Sequence, residues 1–83
     1  MDTRIALIGI IVEDVNGAAP VNVLLHEYSD YVVGRMGIPY SKKDVNIISI
    51  VIDAPDNIIS SLSGKLGRIS GISVKTMIAK TKN

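Results

Sequence analysis

The chain has 83 residues, no cysteine and a formal net charge of +1 at pH 7. That length suits a single domain spanning residues 1–83, and without thiols there are no disulfides, iron–sulfur clusters or thiolate metal sites. A charge so close to zero gives no general attraction to nucleic acid or anionic lipid. The apolar runs fall far short of the roughly 20 residues a membrane-spanning helix needs.

The opening Met1-Asp2-Thr3-Arg4 leads straight into a strand with no signal-peptide pattern, so the expected compartment is the cytoplasm. The first strand is expected from about Arg4 to Glu13. It is apolar on both faces, with Ala6, Ile8, Ile10 and Val12 on one and Ile5, Leu7 and Ile11 on the other. A helix follows, in which Ala18, Val21, Leu24, Leu25 and Tyr28 recur at helical spacing, with Asn16 or Gly17 as its cap and Pro20 in its first turn. A strand at Tyr31–Met36 closes this unit, and Ser41-Lys42-Lys43-Asp44 forms a turn.

The same order then repeats. Val45 to Ala54 is a second two-sided apolar strand, with Ile48, Ile50 and Ile52 opposed to Ile47 and Val51. The second helix carries its stripe at Ile58, Ile59, Leu62, Leu66 and Ile69, with Pro55 in the first turn and Gly67 as terminator. Ser63-Gly64 weakens it by about 1 kcal/mol relative to alanine, so packing must hold it. Ile72–Met77 closes the unit. Two tandem βαβ units predict an α+β, ferredoxin-like βαββαβ sandwich: a four-stranded antiparallel sheet with two helices on one face. The first and third strands are expected at its centre, running parallel to each other.

Two helices cover one face of such a sheet, and Ile5, Leu7, Ile11, Ile47 and Val51 remain on the other. A soluble monomer rarely leaves so contiguous an apolar patch in water. Gly9 and Ser49 occupy matching repeat positions on that face and would let a second backbone approach closely. These seven residues are the candidate interface of a homo-oligomer, a dimer or tetramer, which also supplies burial that a small domain without staples lacks.

No catalytic constellation stands out. His26, the single histidine, lies off the helical stripe and reads as an exposed residue, so no metal and no cofactor are expected. Glu13, Asp14, Asp30, Asp44, Asp53 and Asp56 fall at strand ends and turns, where they cap and solubilise; no acid–base pair is apparent. Nucleic-acid binding is not expected either, because Phe and Trp are absent and Tyr28, Tyr31 and Tyr40 lie off the two central strands. The loop after the first strand is the better candidate. Asp14, Asn16, Gly17 and Ala18 sit where a strand end meets a helix N-terminus, and free amides there can hold the carboxylate or phosphate of a small anionic effector. Gly17 would then give the ligand backbone clearance.

Three stretches carry a resemblance: Met1–Asp14, Leu24-Leu25-His26-Glu27-Tyr28, and Val33-Gly34-Arg35-Met36-Gly37-Ile38-Pro39-Tyr40. Together with Asn46–Ser49, Val51–Pro55, Gly64–Gly67 and Gly71–Thr76, they resemble the small ACT-like proteins of the iron-only hydrogenase system regulator family over essentially the whole chain. The resemblance implies a regulatory, ligand-sensing ACT-like domain without catalysis of its own, acting through oligomerisation and a partner protein. ACT domains read Asp-x-Pro-Gly in their first loop; Asp14, Asn16 and Gly17 stand in those places, with asparagine where proline is usual. Two other readings are a structural assembly factor and a small dimeric α+β-barrel enzyme, the latter requiring a titratable group between paired sheets.

Overall fold

The computed structural model describes residues 2–80. Six principal elements follow one another: β1 (Arg4–Val12), α1 (Ala18–Glu27), β2 (Val32–Tyr40), β3 (Val45–Ala54), α2 (Asp56–Gly67) and β4 (Ile72–Ile78). Short 3-10 turns at Val15–Gly17 and Ser29–Tyr31 flank α1. The sheet order is β2-β3-β1-β4, which places the two strands with two-sided apolar patterns at the centre.

One expectation is corrected. β1 and β3 are antiparallel neighbours, with Leu7 opposite Val51 and Gly9 opposite Ser49. Each βαβ crossover makes its own two strands parallel but leaves a gap that a strand of the other unit fills in the opposite direction, so every adjacent pair is antiparallel.

β2 runs on to Tyr40, beyond the expected end at Met36. Pro39 does not stop it, because an edge strand has one side on which a missing N–H costs no ladder bond. The hairpin then closes within four residues, and Asp44 takes a left-handed φ of 56°, which aspartate tolerates better than most side chains.

The core lies between the sheet and the helices. Ala6, Ile8, Ile10 and Val12 of β1 and Ile48, Ile50, Ile52 and Ala54 of β3 are buried against Val21, Leu25 and Tyr28 of α1 and Ile59, Leu62 and Leu66 of α2. Burying each large aliphatic side chain contributes about 1.5–3 kcal/mol. The weak Ser63-Gly64 point of α2 is tied to β4 by a 2.8 Å bond between Ser63 Oγ and Thr76 Oγ1. The α2 ends also differ from expectation. Pro55 is the N-cap residue, its carbonyl accepting from Ile58 and Ile59. Gly67 keeps a helical place, because Arg68 and Ile69 fold back onto Lys65 and Leu66 and satisfy the last carbonyls without a left-handed residue.

The helices meet at Tyr28, whose hydroxyl lies 2.9 Å from Ser61 Oγ while the Lys65 ammonium sits 5.2 Å from its ring centroid. The Lys65 ammonium beside the ring, and then the Ser61 hydroxyl, lower the Tyr28 pKa below its ordinary 10.0, against desolvation; the same proximity raises that of Lys65. A depressed acid stabilises the fold above its folded pKa, and a raised base stabilises it below its own. The pair therefore contributes most in the alkaline window where phenolate and ammonium coexist. Spectrophotometric titration should show one of the three tyrosines ionising early. In Lys65→Met that early step should vanish, and its persistence would assign it to another tyrosine.

Candidate functional site

At one end of the sheet, the β1–α1 loop and the β2–β3 hairpin enclose a cleft of about 510 Å³. It is lined by Glu13, Asp14 and Val15 from the first loop and by Tyr40, Asp44 and Asn46 from the hairpin side. This is within the size range of small-molecule sites. Three carboxylates border it and no Lys or Arg does.

The loop is built from within. Asp14 is extended (φ −118°, ψ 127°), and its Oδ1 accepts the Asn16 amide at 2.9 Å, so Asp14 caps the 3-10 turn. Gly17, one of the two expected candidates, is the N-cap residue of α1, without a side-chain bond. The Gly17 amide donates to the Asp14 carbonyl at 2.8 Å, and the Ala18 amide to that of Val15. The Glu13 and Asp14 amides both donate to the Gly71 carbonyl, at 2.8 and 3.0 Å. The amides of Asn16, Gly17 and Ala18, expected to hold an anion, are therefore engaged inside the loop. Of the four candidate residues, only Asp14 lines the cleft.

Gly17 is buried, and a Cβ there would meet Ile72 Cγ2 at 2.9 Å and the Ser70 carbonyl at 3.2 Å. Its clearance serves the packing of β4. Gly71, opposite it, has φ +83°, and a Cβ there would fall 2.4 Å from Asp14 Cβ. The sequence reading did not single out Gly71 for this loop, although a glycine just before a strand is the signal that could have done so.

The cap can be tested apart from any ligand role. Asp14→Ala should cost about 1 kcal/mol in denaturant unfolding, whereas Asp14→Ser should keep the cap and nearly all the stability. Equal loss in both variants would mean that the carboxylate acts in some way other than as a cap.

The sheet face away from the helices exposes Ile5 (38%), Leu7 (38%), Ile11 (42%) and Ile47 (38%), with Val51 half-buried among them. Register extends this patch onto the edges. Met36 pairs with Ser49, Ile38 with Ile47 and Tyr40 with Val45 on one side, and Met77 with Leu7 on the other. Gly9 faces Ser49 in the middle, beside a shallow depression bordered by Ile11, Ile47, Ser73 and Lys75. Lys75 is a charged group on this face that the two central strands alone did not reveal. His26 is exposed, and among the described residues no cluster of three or more His, Cys, Asp or Glu could hold a metal ion. No helix among the described residues is long and apolar enough to cross a membrane.

An antiparallel β2-β3-β1-β4 sheet with both helices on one face is an ACT-like, ferredoxin-like α+β domain. It resembles the ACT domain of GTP pyrophosphokinase from Chlorobium tepidum, with TM-score 0.67 and 21% identity over 93% of this chain and 100% of that one. The C-terminal domain of the Mycobacterium tuberculosis MgtC protein has the same fold, with TM-score 0.72 and 10% identity over 93% and 88% of the two chains. A nearer likeness is the TM1266 protein of Thermotoga maritima, with TM-score 0.89 and 37% identity over 94% of this chain and 99% of that one. Residues 4–76 match the family described as "TM1266-like: Iron-only hydrogenase system regulator, putative", and the chain belongs to that family. None of the curated proteins matches it.

Proposed function

We propose that this chain is a non-catalytic regulatory domain of an iron-only hydrogenase system. It works as a homo-oligomer, senses a small molecule in the sheet-end cleft and passes the signal to a partner protein. The oligomer is built on the open face, through Ile5, Leu7, Gly9, Ile11, Ile47, Ser49 and Val51. Family membership and the ACT-like fold support the regulatory class.

The observation that carries the sensing reading is the continuity of cleft and face. Tyr40 and Val45 are cross-strand partners at the edge of the apolar face and also line the cleft. A molecule in the cleft would touch the rim of the surface where a second copy packs. Any ligand that binds the assembled form better must favour assembly by the same factor, because the coupling is reciprocal.

The charge of the cleft also shapes the effector. With Glu13, Asp14 and Asp44 around it and the loop amides engaged, a ligand with an ammonium or other cationic group fits better than the anion expected from a free helix start. Asn16, Gly17 and Ala18 form the turn that presents Asp14 to it.

A thermal-shift screen of small amines and amino acids, with light scattering on the same samples, tests the proposal. An effector at 100 times its Kd should add about 2.7 kcal/mol of stability. It should lose that effect in Asp14→Ser, which keeps the cap. If no compound shifts the melting temperature or the mass, sensing is refuted and an assembly factor is the better reading.

A further inference from the structure

We propose that the groove between α1 and the edge strand β2 binds the oxyanion, phosphate or carboxylate, of a small organic molecule, with Arg35 as its principal ligand. The groove encloses about 420 Å³ on the helix side of the sheet, remote in charge from the sheet-end cleft. Its polar lining is Asn22, His26, Ser29 and Arg35, and no carboxylate borders it.

Asn22 and His26 stand one turn apart on α1 and so share a face. Ser29 opens the 3-10 turn that follows. Arg35 pairs with Ile50, whose side chain is in the core, so its own side chain leaves β2 on the helix side. There its Nη2 donates to Asn22 Oδ1 at 2.7 Å. That bond uses one of five guanidinium donors and aims the rest. Among the described residues the one ion pair is Arg4 with Asp56, so Arg35 has no carboxylate partner.

An arginine tethered by a neutral amide presents a planar fork that matches two oxygens of a phosphate or carboxylate. The Asn22 amide, the His26 ring and the Ser29 hydroxyl add donors around it. Leu25 and Ile50 form a buried apolar floor, which strengthens polar contacts above it and suits the organic part of a ligand larger than a bare anion. The C-terminal end of α1 opposes an anion with about half a unit of negative charge, which the full charge of Arg35 outweighs. This inference does not depend on the reading of the sheet-end cleft.

The test is a heteronuclear NMR titration of the full chain with inorganic phosphate and, separately, acetate, at ionic strength held constant with chloride. Saturable shifts are expected at Asn22, His26, Ser29 and Arg35 with at least one anion, and the one that saturates identifies the source. Arg35→Gln should weaken binding about tenfold to a hundredfold, the effect of losing a charged bidentate contact. Arg35→Lys, which keeps the charge and loses the fork, should also bind more weakly. Asn22→Ala, which releases the guanidinium, should give an intermediate loss without a change in melting temperature. Shifts that chloride alone reproduces, that never saturate, that map to the β1–α1 loop, or that survive Arg35→Gln unchanged would overturn the proposal.

Discussion

Leu7→Asp should give a folded monomer of 8.9 kDa under conditions where the native chain is expected to form a larger assembly. In register, Leu7 lies between Val51 and Met77, near the centre of the open face. In the single chain it is 38% exposed, so an aspartate there reaches water and the fold survives. Packed sheets lie about 10 Å apart, which leaves no room to hydrate a carboxylate at their centre. An unpaired charge so placed costs about 3–5 kcal/mol, a weakening of association by roughly two to four orders of magnitude. Val51→Asp, on the neighbouring strand, should behave alike. Multi-angle light scattering at micromolar concentration checks both, and a native chain that is already monomeric there would refute the interface.

Gly71→Ala should be the most destabilising single-methyl change in the chain. Two independent costs meet at this residue. Its φ of +83° is strained for any L side chain, and the new Cβ would fall 2.4 Å from Asp14 Cβ. The conformational part costs about 1 kcal/mol, and forcing atoms into a filled site adds about 1–3 kcal/mol. For a domain of this size the sum corresponds to a fall in melting temperature of roughly 10–30 °C. The Gly71 carbonyl also holds the Glu13 and Asp14 amides, so the cleft should deform along with the fold. Gly17→Ala, which meets Ile72 at 2.9 Å but has a helical φ, should cost less. Calorimetry on the two variants decides it, and a Gly71→Ala protein as stable as the native one would mean that the loop relaxes freely.

Much of the fold was legible in the sequence because its signals are local. β-Branched residues on both faces of Arg4–Val12 and Val45–Ala54 marked the two central strands, and the period-2 split correctly separated Ile8 and Ile50 from Leu7 and Val51. The helical stripes placed Val21, Leu25, Ile59, Leu62 and Leu66 in the core. Less was legible at strand and helix ends. Met36 read as a strand end and Gly67 as a helix terminator, yet β2 continues through Pro39 on an open edge, and a 3-10 closure removes the need for a left-handed glycine after α2.

The candidate site was legible only in outline. Asp14 could be picked out as a strand-end residue beside a helix start. That the Glu13 and Asp14 amides are engaged could not be, because both donate to the Gly71 carbonyl, more than fifty residues away. Nor could the charge of the cleft be read, since Asp44 joins Glu13 and Asp14 only when the hairpin folds over the loop.

By itself, then, the sequence determined which residues face the core, that two βαβ repeats build one ferredoxin-like sandwich, and that the chain carries no thiol. Periodicity and composition act over a few residues at a time and need no partner to be read. Tertiary structure alone decided the antiparallel pairing of β1 with β3, the packing role of Gly17, the acidic character of the sheet-end cleft, and the meeting of Arg35 with Asn22. These depend on which distant groups come within hydrogen-bond or contact distance, and side-chain donors and charges carry no periodic trace of the partners they will meet.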